Sequence, residues 1–289
     1  VEVEQMSKKA NVSVNKRIEG IFAQAVAMDN RGIKNMIHCI GDSIYVVNFD
    51  YSMILRFSLR QSEARFEVPI SFNANEYDSP NFTFEITENG SEIVFRTVEK
   101  EFTRRKICYT KSVSPTAEDI DRLYQELKKK AEQSQYLFYL SADCVPLLEE
   151  DLSHVEISVE NSALILRQRN IYTGTIVEVE SNEKGFFTVN RLPKEMPPMA
   201  LKTKDFTSLF NIQKSLAFIP TEDFLAVKDP QKDDFDGVLA LCKYDMIIDL
   251  YNKDKKEGDE DGRKEQETGT SQQEADRPPV KTTITRRRK

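Results

Sequence analysis

The chain makes one construction more than once, and a repeat constrains the fold more than any single motif does. An amphipathic segment from Asn15 to Asp29 leads into three closely spaced strand patterns, Asn35 to Ile40, Ser43 to Phe49 and Tyr51 to Leu59. A second segment, Ala142 to Leu152, leads into His154 to Val159, Ala163 to Arg169 and Thr173 to Glu180. Each reads as a helix followed by hairpin-linked strands. Such units do not bury their apolar faces alone, so they imply a scaffold of stacked modules.

Each half divides again. Phe66 to Phe72 precedes alternating runs at Phe82 to Ile86, Glu92 to Val98 and Lys106 to Tyr109, with Glu88-Asn89-Gly90 as a hairpin turn between two of them. In the second half, Met199 to Lys204 precedes a helix pattern containing Phe206, Leu209 and Phe210. Strand patterns follow at Ser215 to Ile219, Phe224 to Val227 and Gly237 to Tyr244. The expectation is an α+β fold of four helix-plus-antiparallel-strand units, two per half, in which the second unit lacks a convincing helix.

Two boundaries organise these units. Ser114-Pro115-Thr116 before Glu118 is a helix-start pattern, Ile120, Leu123, Tyr124 and Leu127 recur at helical spacing, and Lys128, Lys129 and Lys130 suit the carbonyl end of the helix dipole. Residues 114–135 therefore read as a connector helix between a first domain, 1–113, and a second, 136–252. Residues 253–289 have scarcely any apolar side chains and read as a disordered tail. That tail holds 11 basic and 9 acidic residues, which leaves 30 against 39 for residues 1–252. A nucleic-acid partner of such an acidic body requires cations segregated onto one face.

Cys39, Cys108, Cys144 and Cys242 stand far apart and outside any CxxC pair, as expected of buried thiols in a reducing compartment. Phosphate-loop, dinucleotide and HExxH signatures are absent. His38 and His154 lie beside strand patterns, where a structural role is expected. The sequence thus points to a non-enzyme without cofactor or metal, away from membranes and inside the cell. Asp233, Asp234 and Asp236 are the residues that a metal-dependent hydrolase would use, though their flanking Pro and Gly favour a polar turn.

The run from Asp151 to Arg167, a helix end followed by a strand and a short turn into the next, resembles the DNA polymerase sliding clamps of the eukaryotic, archaeal and phage type. Phe206 to Tyr244, a helix, a strand, Phe224-Leu225-Ala226-Val227 and then Gly237 in a final strand, is similar to the closing part of a second clamp domain. The resemblance spans roughly residues 12–250. It implies two similar domains per chain, a ring of three chains around duplex DNA, and a DNA polymerase and a clamp loader as partners. A viral or phage protein acting in the cytoplasm or nucleus, including that of an infected host, fits this expectation. Helices in such rings present cations to phosphate without reading bases, which selects Lys16 and Arg17 on the first helix with Lys202, Lys204 and Lys214 around the last. Glu149, Glu150 and Asp151 and the helical connector depart from the family pattern. A β-rich virion or assembly protein is the alternative use of the same repeats.

Overall fold

The computed structural model describes residues 9–12, 16–28, 35–60, 65–77, 82–87, 92–99, 102–109, 115–161, 163–170, 172–180, 189–190 and 196–242. The first unit contains β1 (Lys9–Val12), α1 (Lys16–Ala27), β2 (Met36–Gly41), β3 (Ser43–Val47) and β4 (Met53–Ser58). The second contains β5 (Phe66–Asn73), a 3-10 turn (Ala74–Glu76), β6 (Phe82–Thr87), β7 (Glu92–Glu99) and β8 (Phe102–Tyr109). After α2 (Ala117–Glu132), the third contains β9 (Leu137–Ser141), a 3-10 helix (Ala142–Leu147), β10 (His154–Glu160), β11 (Ala163–Arg169) and β12 (Ile176–Glu180). A short β13 (Val189–Asn190) precedes the fourth, with β14 (Met196–Lys202), α3 (Thr203–Leu209), β15 (Ser215–Pro220), β16 (Phe224–Lys228) and β17 (Phe235–Ala240).

The four units interlock by exchanging their first strands. Strand β1 pairs with β6 of the second unit, while β5 returns to pair with β2 of the first. The same exchange recurs later, where β9 pairs with β15 and β14 with β10. The resulting sheets run β1-β6-β7-β8, β12-β11-β10-β14 and β13-β9-β15-β16-β17-β4-β3-β2-β5. The nine-stranded sheet exists because β17 pairs antiparallel with β4, in the register Phe57↔Phe235, Leu55↔Gly237 and Met53↔Leu239. Gly237 is required at this joint. A Cβ there would stand 2.7 Å from Leu55 Cδ2 and 2.9 Å from the Ile54 carbonyl oxygen.

Strand alternation sends successive side chains to opposite faces, and both faces of the nine-stranded sheet are covered. On one, Ile37, Cys39, Leu55, Phe57, Phe218 and Leu239 join a large core with Ile18, Ile21, Phe22 and Ala25 of α1 and Phe206 and Leu209 of α3. Aromatic contacts knit the units together, with ring centroids 5.3 Å apart for Phe22 and Phe72, 5.5 Å for Phe72 and Phe95, and 5.4 Å for Phe138 and Phe218. On the other face, Tyr45, Val47, Ile54, Phe224, Ala226 and Val238 pack against Ile120, Tyr124 and Ala131 of α2.

Helix α2 starts where its cap directs. Thr116 accepts from the Asp119 backbone N–H at 3.2 Å while the Asp119 carboxylate accepts from the Thr116 N–H. Residues 117, 120, 124 and 131 define its buried stripe, so Leu123, expected on that stripe, points to solvent instead. Two further expectations are corrected. The third unit has a six-residue 3-10 helix rather than a helix reaching Leu152, because Pro146 removes a backbone donor inside so short a segment. Asp236 lies within β17 rather than in a polar turn. Turn residues 88–90, the stretch 243–252 and the tail 253–289 lie outside the described residues.

Candidate functional site

Three kinds of surface emerge from this topology: two strand edges, the layer that carries α1 and α3, and a cleft beside α2. The joint between β4 and β17 unites the last strands of the first and fourth units. The last strands of the second and third units, β8 and β12, each end their sheet and have no further partner strand among the described residues. Strand β8 brings Arg104, Arg105 and Lys106, with Phe102 78% exposed, whereas β12 brings Glu178 and Glu180 beside an exposed Ile176. A strand edge without a partner strand is a template for strand addition; of these charges, Lys106 pairs with Glu76 and Glu178 with Arg167 within the chain. The arginine and lysine run of β8 is visible in the sequence, but its meaning depends on knowing which strand ends a sheet.

The five sequence-selected cations fall into two groups. Lys16 at the start of α1, Lys204 on α3 and Lys214 before β15 are exposed. Arg17 donates to the Ser58 carbonyl oxygen at 2.7 Å and pairs with Asp234 at 3.5 Å. Lys202, at the end of β14, pairs with Asp50. Partial burial disfavours the Lys202 cation, but the Asp50 partnership outweighs it and raises its pKa above the ordinary lysine value. A small cleft lined by Arg17, Gly20 and Gln24 of α1 and by Ile212 and Gln213 brings the first helix beside the segment leading to Lys214. Lys202 and Lys204 flank a different cleft. Glu149, Glu150 and Asp151 are exposed in the loop before β10.

The cleft beside α2 has a volume of about 500 Å³ and an apolar floor of Ile219, Ala226 and Val238 against Tyr124 and Ala131. Its rim contains an ionic hub that sequence reasoning missed. Asp236 on β17 lies 3.4 Å from Arg56 Nη1 on β4 and 2.9 Å from Lys128 Nζ on α2. Tyr124 also hydrogen-bonds to Asp236; burial first, and this carboxylate second, push the Tyr124 phenol far above its ordinary value. The Tyr45 hydroxyl donates to Asp121, the second polar tie between sheet and connector. The only sequence-level sign of the hub is Asp236 next to Gly237 in an apolar strand.

Among the described residues, the remaining titratable groups form no arrangement of acid, base and nucleophile. His38 is buried, with Nδ1 2.8 Å from Ser71 Oγ, and burial pushes its pKa down to about 4. His154 stands 2.7 Å from Ser153 Oγ, and burial followed by the Lys202 charge lowers it too. Cys39, Cys108 and Cys144 are buried thiols outside any disulfide. Among the described residues, no cluster of His, Cys, Asp or Glu is arranged to hold a metal ion. Asp234 and Asp236 are engaged by Arg17, Arg56 and Lys128. None of the described helices is long and apolar enough to cross a membrane.

This architecture is the fold of the DNA polymerase sliding clamps. The DNA polymerase III β subunit from Pseudomonas aeruginosa superposes with a TM-score of 0.57 at 12% identity, covering 84% of this chain and 69% of that one. A putative β subunit from Eubacterium rectale gives 0.54 at 11% identity, over 84% and 68%. The Pseudomonas aeruginosa DNA polymerase sliding clamp solved with a ligand gives 0.56 at 11% identity, over the same shares. No protein-family profile and no curated protein matches the sequence. The likeness therefore rests on the course of the backbone.

Proposed function

We propose that this chain is a DNA sliding clamp, a non-enzymatic processivity factor that closes head to tail into a homotrimeric ring around duplex DNA and tethers a DNA polymerase. The observation that carries this reading is the matched pair of open strand ends. Inside the chain, the last strands of two units join as β4 and β17; the corresponding ends, β8 and β12, carry opposite charges. Repeating the internal joint between copies pairs β8 of one chain with β12 of the next. A heterologous contact of this kind closes into a ring when its rotation permits. Residues 1–113 and 136–252 are the two domains of this proposal, joined by 114–135.

In this ring α1 and α3 face the DNA. Lys16, Lys204 and Lys214 supply most of the attraction, while Arg17 and Lys202 contribute less because Asp234 and Asp50 already neutralise them. The cleft beside α2 is the proposed dock for apolar anchors of the polymerase and clamp loader.

Native mass measurement tests the assembly, with three copies of the 33.3 kDa chain expected. A monomer at micromolar concentration, or the open filaments and shells of an assembly protein, would refute it. Replacing the exposed Lys16, Lys204 and Lys214 together by Glu is expected to preserve the trimer and weaken loader-assisted retention on circular DNA. Equal retention of both proteins would remove this face from contact with DNA.

A further inference from the structure

The two open sheet edges carry more than charge, for each also presents an exposed isoleucine. In β8, Cys108 lies opposite Ile93 in the main core, so alternation turns Arg105 and Ile107 to the face away from that core. In β12, Val179 packs against the same core, which turns Ile176 and Glu178 away from it. Ile107 is 49% exposed and Ile176 56%. Arg105 is exposed and stands opposite Arg96 across the β7–β8 ladder, a like-charge pairing that favours a carboxylate on the open side of β8. Glu178 has the matching face on β12. Arg167 holds it at 2.8 Å and also holds Glu160 at 3.2 Å, so Glu178 is fixed in place while remaining half-exposed.

The joint inside the chain supplies the rule by which two such edges meet. Leu55 stands opposite Gly237 and Phe57 opposite Phe235, and Leu55, Phe57 and Phe235 all belong to the main core. The core faces of the joined strands therefore coincide. A β8–β12 joint made in the same way sets outward residues against outward residues, because a slip of one would turn a core face to solvent. Slips of two are the remaining choices. One alignment sets Ile107 opposite Ile176 and, two residues on, Arg105 opposite Glu178. A slip of two in one direction puts the Glu178 carboxylate against Ile107; in the other, Ile107 meets Gly174, which lies outside β12.

We propose that β8 of one copy and β12 of the next pair antiparallel in the register Ile107↔Ile176, Arg105↔Glu178 and Thr103↔Glu180, and that the isoleucine and charge pairs select the partner as well as the register. This inference rests on the head-to-tail ring of the proposed function and adds what holds each joint in a single alignment. Pairing either edge with its own copy brings Arg104 and Arg105 of two chains together, or Glu178 and Glu180 of two chains, and like charges facing each other across a ladder are destabilising. Unlike edges instead cover both isoleucines and give Arg105 its carboxylate. Arg167 acts as a positioning residue, since it aims Glu178 from the neighbouring strand β11.

Paired cysteines in the full chain test the register. Directly opposed residues of an antiparallel pair stand about 4.5–5.5 Å apart at Cα and a disulfide spans about 4.4–6.8 Å, whereas diagonal neighbours stand about 7–8 Å apart. Under mild oxidation, Ile107→Cys combined with Ile176→Cys is expected to give covalent dimers and trimers on non-reducing gels. Ile107→Cys combined with Glu178→Cys should give little or none, as should the wild type with its own four cysteines. A second arm uses charge: Arg105→Glu should raise the trimer dissociation constant roughly two- to fivefold per joint, and adding Glu178→Lys should recover part of that loss. All the replaced side chains are exposed, so the reduced variants are expected to unfold at the wild-type midpoint. A native trimer that cross-links through positions 107 and 178, or through neither pair, overturns the register and leaves the ring standing. Assembly of the double charge variant no better than that of Arg105→Glu would likewise separate Arg105 from Glu178. A protein that stays monomeric at micromolar concentration and gives no cross-link overturns the register and the ring together.

Discussion

Asp236→Ala is expected to be among the most destabilising single changes outside the apolar core. Asp236 retains 19% side-chain exposure and its cross-strand neighbour Arg56 retains 16%. The two face each other in register across the β4–β17 joint, and Lys128 adds a second cation from the connector. Removing the carboxylate leaves the Arg56 guanidinium part-buried with only Ser43 Oγ, 3.1 Å from Nε. Breaking a fully buried pair costs roughly 3–5 kcal/mol, whereas an exposed pair contributes about 0–1 kcal/mol. Partial exposure and the freedom of Lys128 to reach water place this site between the two, at about 2–3 kcal/mol.

Urea unfolding followed by circular dichroism reads this as a lower midpoint with unchanged slope. Asp236→Leu combined with Arg56→Met should recover most of the loss, because apolar replacement of both partners removes the stranded charge. Hydrogen exchange adds a spatial readout: α2 amides near Lys128 should lose protection in the single variant. An Asp236→Ala protein within about 0.5 kcal/mol of wild type, the ordinary range for surface changes, would refute the reasoning. Strict additivity of the two changes would do the same, since it would mean that the partners do not interact.

Three other perturbations probe separate levels of the structure. His38 titrates near 4 in the folded protein against an ordinary 6.5, so the unfolded chain binds its proton first and stability falls as pH drops from 6.5 towards 4. Its full contribution is about 3 kcal/mol, and His38→Gln should flatten that part of the pH profile in urea titrations; an identical profile would contradict it. Gly237→Ala forces a Cβ against Leu55 and the Ile54 carbonyl and should cost about 1–3 kcal/mol, so a thermal midpoint equal to wild type would show that the joint relaxes freely. Truncation after Asn252 should leave the cooperative transition nearly unchanged, because residues 253–289 have little apolar surface to bury; a large loss of cooperativity in calorimetry would overturn the boundary.

What could be read in advance follows from the range of the interaction involved. The strand from Ala163 to Arg169 and the start of α2 depend on local periodicity and on the pattern of Pro115 and Thr116, and both were legible, although the reciprocal bond of Thr116 with Asp119 was not singled out. Leu123 has the right spacing for the buried stripe, yet the sheet receives the neighbouring stripe through Ile120, Tyr124 and Ala131, a choice made by tertiary packing. Strand exchange between units was not legible either, since nothing near β1 says that its partner is β6. The cations were easy to find by type. Their partners were not, because Asp234 is 217 residues from Arg17 and Asp50 is 152 from Lys202. Charge composition identifies candidates; only the fold determines which of them remain available.

That distinction bears on how a ring of this chain would hold DNA. The outward stripe of α1 is Lys16, Gly20, Ala23 and Ala27, one cation followed by small side chains. The exposed loop after the 3-10 helix of the third unit contributes Glu149, Glu150 and Asp151. With Arg17 and Lys202 paired internally, the described residues around α1 and α3 offer phosphate chiefly Lys16, Lys204 and Lys214. Each phosphate neutralised contributes about −0.9 to the slope of log affinity against log salt, so about three contacts from one engaged chain correspond to a slope near −3, shallow for a DNA-binding protein. Under the clamp reading, enclosure then does what affinity does not. Short linear duplexes should escape readily, whereas a closed circle should remain threaded at salt concentrations that abolish ordinary binding, because release requires opening a β8–β12 joint rather than exchanging counterions.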